Sequence, residues 1–205
     1  MIRHRLSSFL PGRRAPGMRL AGWLLACAAA ACAAAAVVPI PVLAQSAGSL
    51  ALERRVKAAF LYKFRAMPSF RRVPLPTGGA PVTIGVVGSD EMAAELTRVV
   101  AGRQVGGRAL VVRSLREGEL AAPVHLLFVA GNDSARTGRI LRAAPGALLP
   151  VTECDLGLQQ GSVINFRIVD ERVRFDVSLD SAEKNNVKLS SRLLTVANRV
   201  VKGNS

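Results

Sequence analysis

The side chains able to do bond-making chemistry are few in this 205-residue sequence, which holds two histidines and three cysteines. His4, Cys27 and Cys32 fall in an N-terminal stretch with the pattern of an export signal, leaving His125 and Cys154. A metal cage takes several such ligands at close spacing, and a Cys–His nucleophilic pair needs sulfur and imidazole within hydrogen-bond reach. His125 sits inside an apolar run and Cys154 lies roughly thirty residues further on, with no acidic cluster beside either. His125 therefore reads as a core or strand-end histidine, and a hydrolase would have to rest on it alone. The acids are scattered, so the paired carboxylates of glycoside hydrolysis have no counterpart. Gly85-Val86-Val87-Gly88-Ser89 has the outline of a phosphate-binding turn without G-x-G-x-x-G or a lysine-threonine ending. It reads as a tight turn before a helix whose N-terminus could still hold an anion. No catalytic residue, metal, disulfide or cofactor is expected.

Polar residues in a strand pair are the better candidates. Val163 to Val169 and Arg172 to Ser178 alternate strictly around Asp170-Glu171, which predicts a two-residue hairpin. Its register pairs Ile168 with Val173, Phe166 with Phe175 and Ile164 with Val177, so one face is wholly apolar, and a slip by one residue would destroy that match. The other face sets Val169 against Arg172, Arg167 against Arg174 and Asn165 against Asp176. Two opposed arginines cost some tenths of a kcal/mol unless an acid or anion sits between them. Either Asp176 neutralises them diagonally, or the face receives an acidic group from a partner or ligand. The expected binding residues are Asn165, Arg167, Arg174 and Asp176, together with Arg192, Asn198 and Arg199 on the exposed side of a last helix.

The elements that must position this face follow from pattern. Residues 1–44 carry five arginines and no acid, then run apolar from Leu20 to about Val38, and Val42-Leu43-Ala44 offers a signal-peptidase site, so cleavage is expected after Ala44. A retained anchor, a lipoprotein at Leu24-Leu25-Ala26-Cys27 and a twin-arginine signal at Arg13-Arg14 are rival readings. The remaining 45–205 fit a single domain, with 23 basic residues against 14 acids. That excess is spread along the chain without the like-charge block of a nucleic-acid tail, and it suits a surface facing anionic lipid or an acidic partner. Cys154 then has no internal bridging partner, and is either buried and inert or free to pair with another chain.

From Leu52, the spacing of Val56, Ala59, Phe60, Phe64 and Met67 predicts a helix stopped by Pro68, followed by a loop from Ser69 to Pro81. Val82 to Gly88 reads as a buried strand, with Ser89 or Asp90 capping a helix through Val100. Strands are expected over Arg108 to Val112, Val124 to Ala130 and Ala147 to Thr152, with a helix from Gly131-Asn132-Asp133-Ser134 to about Ala143. After the hairpin, Asp180 and Glu183 suggest a capping box, and Ser190 or Ser191 a cap for a last helix carrying Leu193, Leu194, Ala197, Val200 and Val201. The fold class is α/β: a mainly parallel mixed sheet flanked by helices, with a C-terminal β-hairpin and helix.

Several of these stretches in order resemble the YfiR family: Val56 to Phe64, Ile84 to Gly88, Gly107-Arg108, His125 to Val129, Gly161 to Phe166, Arg174-Phe175 and Leu189 to Leu194. Relatives usually carry asparagine where Lys63 stands and tryptophan-proline at Phe70-Arg71. The resemblance implies an α/β sandwich, a dimer in the founding member, and a periplasmic repressor that binds the outer portion of an inner-membrane diguanylate cyclase, lowering cyclic di-GMP and biofilm formation. With the spread of charge arguing against a nucleic-acid partner, membrane contact is expected only through the partner protein. Val124 stands where relatives often have cysteine, and Gly161-Ser162 replaces a glycine pair, so the redox-sensitive bridges of some members have no equivalent here. The alternative function is a periplasmic small-ligand binder feeding a membrane sensor.

Overall fold

The computed structural model describes residues 42–66, 80–121, 123–144 and 149–203, and Ser46–Ser205 form one compact unit. The signal-like segment before Val42, most of the loop after Ala66, and Ala147 and Leu148 lie outside the described residues. In chain order the elements are α1 (Val42–Ala66), β1 (Val82–Val87), α2 (Asp90–Val100), β2 (Gln104–Val105), β3 (Arg108–Leu115), a 3-10 turn (Glu117–Glu119), β4 (Leu126–Val129), α3 (Ser134–Ala143), β5 (Pro150–Thr152), β6 (Ile164–Val169), β7 (Arg172–Ser178), α4 (Leu179–Lys184), α5 (Ser191–Val196) and β8 (Arg199–Val201).

The strands form one sheet in the order β2-β3-β1-β4-β5-β6-β7-β8. β3, β1, β4, β5 and β6 run parallel, whereas β2 and β7 are antiparallel to β3 and β6, and β8 runs parallel to β7. Apolar residues in β1 and β4 face both ways. Ile84, Val86, Leu126 and Phe128 enter a core with α1 and α2, while Val87, Leu127 and Val129 enter a second one with Ile140 of α3. Burial on both faces explains why these strands read as continuous apolar runs.

Local chemistry sets the helix starts as expected. Ser89 is the N-cap of α2, its hydroxyl accepting the Met92 N–H, and Asp133 caps α3 by accepting the Arg136 N–H. The hairpin forms in the expected register, pairing Ile164 with Val177, Phe166 with Phe175 and Ile168 with Val173. Asp170 and Glu171 both take positive φ, 48° and 58°, so the turn has the primed twist that joins two strands in two residues. Phe166 and Phe175 meet Phe64 of α1 at centroid distances of 6.0 and 5.1 Å, which fixes the hairpin against the first helix.

Four expectations are corrected. Helix α1 starts at Val42, earlier than Leu52, and its most buried residues are Lys57, Ala58, Leu61 and Phe64, so the stripe is rotated from the expected one and Val56, Ala59 and Phe60 are half-buried. β3 runs on to Leu115, and Gly106-Gly107, both at positive φ, turn it back to a short β2 that the sequence reading omitted. The N-cap of α4 is Ser178, whose hydroxyl accepts the Ser181 N–H, in place of the Asp180 capping box. The last helix ends at Val196, and Arg199 to Val201 become a strand on the edge of β7.

Candidate functional site

The sequence-derived polar residues divide into a buried set and an exposed set. Asn165 and Asp176 face each other across β6 and β7 as expected, but both are buried, 2 % and 1 % exposed. Burying a carboxylate and an amide requires that their hydrogen-bonding capacity be met. Asn165 Oδ1 accepts from the Thr152 hydroxyl at 2.6 Å and its Nδ2 donates to the Cys154 carbonyl at 2.9 Å. Asp176 accepts from Asn198 Nδ2 at 2.8 Å and from Arg199 Nη2 at 3.0 Å. The structure thus brings Asp176, Asn198 and Arg199 together, and the carboxylate docks the final strand rather than neutralising the arginine pair. Asn198 and Arg199 accordingly do not stand on the outer side of a helix.

Arg167 opposes Arg174, as its register requires, and its Nη1 reaches the Asp155 carbonyl at 3.4 Å. Arg174 and Arg192 are exposed, and the Arg199 side chain is 61 % exposed although one of its nitrogens bonds Asp176. Arg167, Arg174 and Arg199 therefore present cationic groups to solvent on the hairpin and the last strand, and Arg192 does so on α5. Ile168, on the opposite face of the hairpin, is 51 % exposed.

A second polar cluster, absent from the sequence reading, lies at the carboxyl ends of the strands. Lys57 of α1 is only 7 % exposed; its Nζ donates to Glu153 Oε2 at 2.5 Å and to Glu53 one turn earlier. The other Glu153 oxygen accepts the Gly131 N–H at 2.8 Å. Burial by itself would lower the Lys57 pKa, but the attraction and hydrogen bonds of Glu153 and Glu53 outweigh it and hold the ammonium above its ordinary 10.5. Glu53 and Lys57 are visible in sequence as an i,i+4 pair. Glu153 is 96 residues away from Lys57, and no local signal announces it.

Beside this cluster a cleft of about 860 Å³ opens beyond β1 and β3, lined by Gly88, Ser89, Ser114, Arg116, Glu117 and Arg136 among others. The chain leaves β1 toward β3 and returns to β4 on its other side, the kind of strand-order reversal at whose carboxyl ends open α/β sheets bind ligands. Arg136 bonds Glu117 at 2.6 Å and the Ala130 carbonyl at 3.3 Å. Glu91 is held below its ordinary 4.5 by a backbone N–H and by the Ser89 hydroxyl.

The two residues with the most reactive side chains have structural surroundings. His125 is buried and its Nδ1 accepts the Thr83 N–H at 3.0 Å, which ties β1 to the start of β4. Cys154 is 1 % exposed and is not in a disulfide. Among the described residues no group of three or more His, Cys, Asp or Glu could hold a metal ion, and no helix is long and apolar enough to cross a membrane.

Compared with known protein families, residues 54–198 match YfiR/HmsC-like proteins. The chain belongs to the YfiR/HmsC-like family. The match runs from α1 to Asn198, so it takes in Lys57, Glu153, Asn165, Asp176 and Asn198 and stops just short of Glu53 and Arg199 at its two ends. No curated protein matches the chain. Among solved structures it is similar to a conserved domain protein from Vibrio cholerae, at 11 % identity and a TM-score of 0.45 over 65 % of this chain and 60 % of that one. It is also similar to an ABC domain in complex with L-Trp from Streptococcus pneumoniae, at 12 % identity and a TM-score of 0.44 over 65 % of this chain and 62 % of that one. The chain spans less than two thirds of either structure, and similarity at this level assigns neither fold nor ligand.

Proposed function

We propose that this YfiR/HmsC-like chain is a periplasmic regulator that binds the outer portion of an inner-membrane diguanylate cyclase and holds it inactive, lowering cyclic di-GMP and biofilm formation. The observation that carries the reading is the family match over residues 54–198. The solvent-facing arginines on the hairpin and last strand support it, because a repressor needs no bond-making group. It has only to bind one conformational state of its receptor better than another. A difference of roughly 1–3 kcal/mol, about 5- to 150-fold in affinity, is typical of such coupling.

In this reading Arg167, Arg174, Arg192 and Arg199 touch the receptor, while Asn165, Asp176 and Asn198 hold β6, β7 and β8 in place beneath them. Export through the N-terminal signal places the domain on the same side of the membrane as the receptor's outer portion. Deleting the gene is expected to raise cellular cyclic di-GMP and surface attachment, and restoring it is expected to reverse both. Unchanged levels of both in the deletion strain would overturn the proposal.

The cleft beyond β1 and β3 favours a second reading, a periplasmic small-ligand binder feeding a membrane sensor. Its volume lies within the ~300–1,000 Å³ usual for ligand sites. A ligand that occupies it raises the melting temperature; a metabolite screen with no shift would reject this alternative.

A further inference from the structure

The two edges of the sheet are finished differently. At one edge, β8 has only three residues, and the chain beyond it turns back, with the Gly203 N–H donating to Asp180 at 2.7 Å. At the other, β2 covers only Arg108 and Ala109 of the eight-residue β3. The Leu110 N–H still reaches the Arg103 carbonyl at 3.2 Å, but from Val111 to Leu115 no described strand lies outside β3. Because successive residues of a strand point their backbone groups to opposite sides, the outward Leu110 N–H sets the parity. Val112 and Ser114 turn their N–H and C=O groups away from β1.

Edges are blunted by prolines, bulges, inward-pointing charges, edge charges or extreme shortness, and of these the open part of β3 shows only an edge charge, Arg113. The open part of β3 spans five residues, roughly 16 Å at ~3.3 Å per residue, about the length of an ordinary strand. From Arg103 to Arg116 the sequence holds four arginines and no acid. Arg113 and Arg116 are exposed, and Arg103 lies over the Tyr62 ring at 4.6 Å, still at the surface. The nearest carboxylate on α2, Asp90, accepts the Ser114 hydroxyl at 2.6 Å and leaves the Ser114 backbone groups open.

We propose that the β3 edge is a docking site for an extended, acidic segment of a partner protein, which adds to the sheet as a ninth strand. Its main chain pairs with Val112 and Ser114, and its carboxylates meet Arg113 and Arg116. The basic character of the edge selects an acidic occupant over a second copy of this chain, whose own β3 edge carries the same charge. This inference stands apart from the receptor surface on the hairpin, which lies at the other end of the strand order.

The test uses the purified domain and two synthetic hexapeptides, Glu-Val-Glu-Val-Glu-Val and Lys-Val-Lys-Val-Lys-Val, read by amide hydrogen exchange and NMR shifts. The acidic peptide is expected to slow exchange at the Val112 and Ser114 amides in a salt-dependent way, and the basic peptide to leave them unchanged. Ser114→Pro removes the outward donor where proline is tolerated on an edge and should weaken binding on the order of tenfold. Ser114→Ala keeps the donor and should bind like wild type. Arg113→Glu, at an exposed position, gives the same loss should the proline variant fail to fold. Equal response to both peptides, protection confined to β8, or unchanged binding by Arg113→Glu would overturn the proposal. So would protection of the same amides by concentrating the protein alone, which would put a second copy there, or by phosphatidylglycerol vesicles, which would put a membrane there.

Discussion

Replacing Lys57 by methionine keeps an unbranched apolar stem, one atom shorter, and removes the charge, stranding Glu153 and Glu53 beside an apolar atom. Breaking a fully buried ion pair by deleting one partner costs about 3–5 kcal/mol. Here the carboxylate side chains keep 18 % and 28 % of their exposure, and Glu153 retains its bond to Gly131, so the cost falls to about 2–3 kcal/mol. In a domain of this size that is a drop of about 5–10 °C in melting temperature. The pH dependence has a definite sign. The folded pKa of Lys57 lies above the unfolded 10.5, so its stabilisation is fully present below pH 10.5 and is lost as pH rises through the folded value. Thermal unfolding of wild type and Lys57→Met from pH 7 to pH 12 should therefore show a gap that is constant up to about 10.5 and then narrows. A gap under about 0.5 kcal/mol at pH 7, within the range of neutral surface changes, or a gap that widens at alkaline pH, would be incompatible with a stabilising Lys57 ion pair.

Three further outcomes follow from the hairpin and its surroundings. Glu171→Gly relieves a positive-φ glutamate and should stabilise by about 1 kcal/mol, read as a rise in denaturant midpoint; an unchanged or lower midpoint would contradict the turn geometry. Gly157→Ala drives a methyl into the Thr152 hydroxyl and the Asn165 amide and should cost about 1–3 kcal/mol, measured by the same titration. Asp176→Ala removes the acceptor for Asn198 and Arg199. Because Arg199 is largely exposed its share is small, and the total loss should be about 1.5–3 kcal/mol, with amide exchange quickening first at Val200 and Val201.

The sequence discloses what depends on neighbours along the chain. The hairpin register was legible because only one alignment of two alternating segments pairs Phe166 with Phe175 and puts every apolar residue on one side. The caps of α2 and α3 were legible to within a residue or two, as Ser89 or Asp90 and within Gly131 to Ser134, because capping is settled within a turn. The last helix was legible at its start, capped by Ser190, but not at its end, because Leu193, Leu194, Ala197, Val200 and Val201 satisfy helical spacing while a buried carboxylate on another element, Asp176, captures Asn198 and Arg199 and pulls Arg199 to Val201 into the sheet. The same long-range bonding took Asn165 and Asp176 off the surface, since alternation tells which face a residue lies on and not what covers that face. Lys57 was obscured for a similar reason: helical spacing located the stripe to within a rotation, and Glu153 arrives from the far side of the fold.

The proposed binding to a membrane cyclase is open to direct reconstitution. Purified domain titrated onto membranes bearing the diguanylate cyclase should lower cyclic di-GMP synthesis saturably, with Arg167→Glu/Arg174→Glu/Arg192→Glu folded but weaker by tenfold or more, the order of 1.4 kcal/mol. Synthesis that stays constant at saturating concentrations of the folded wild-type domain would be incompatible with repression by binding.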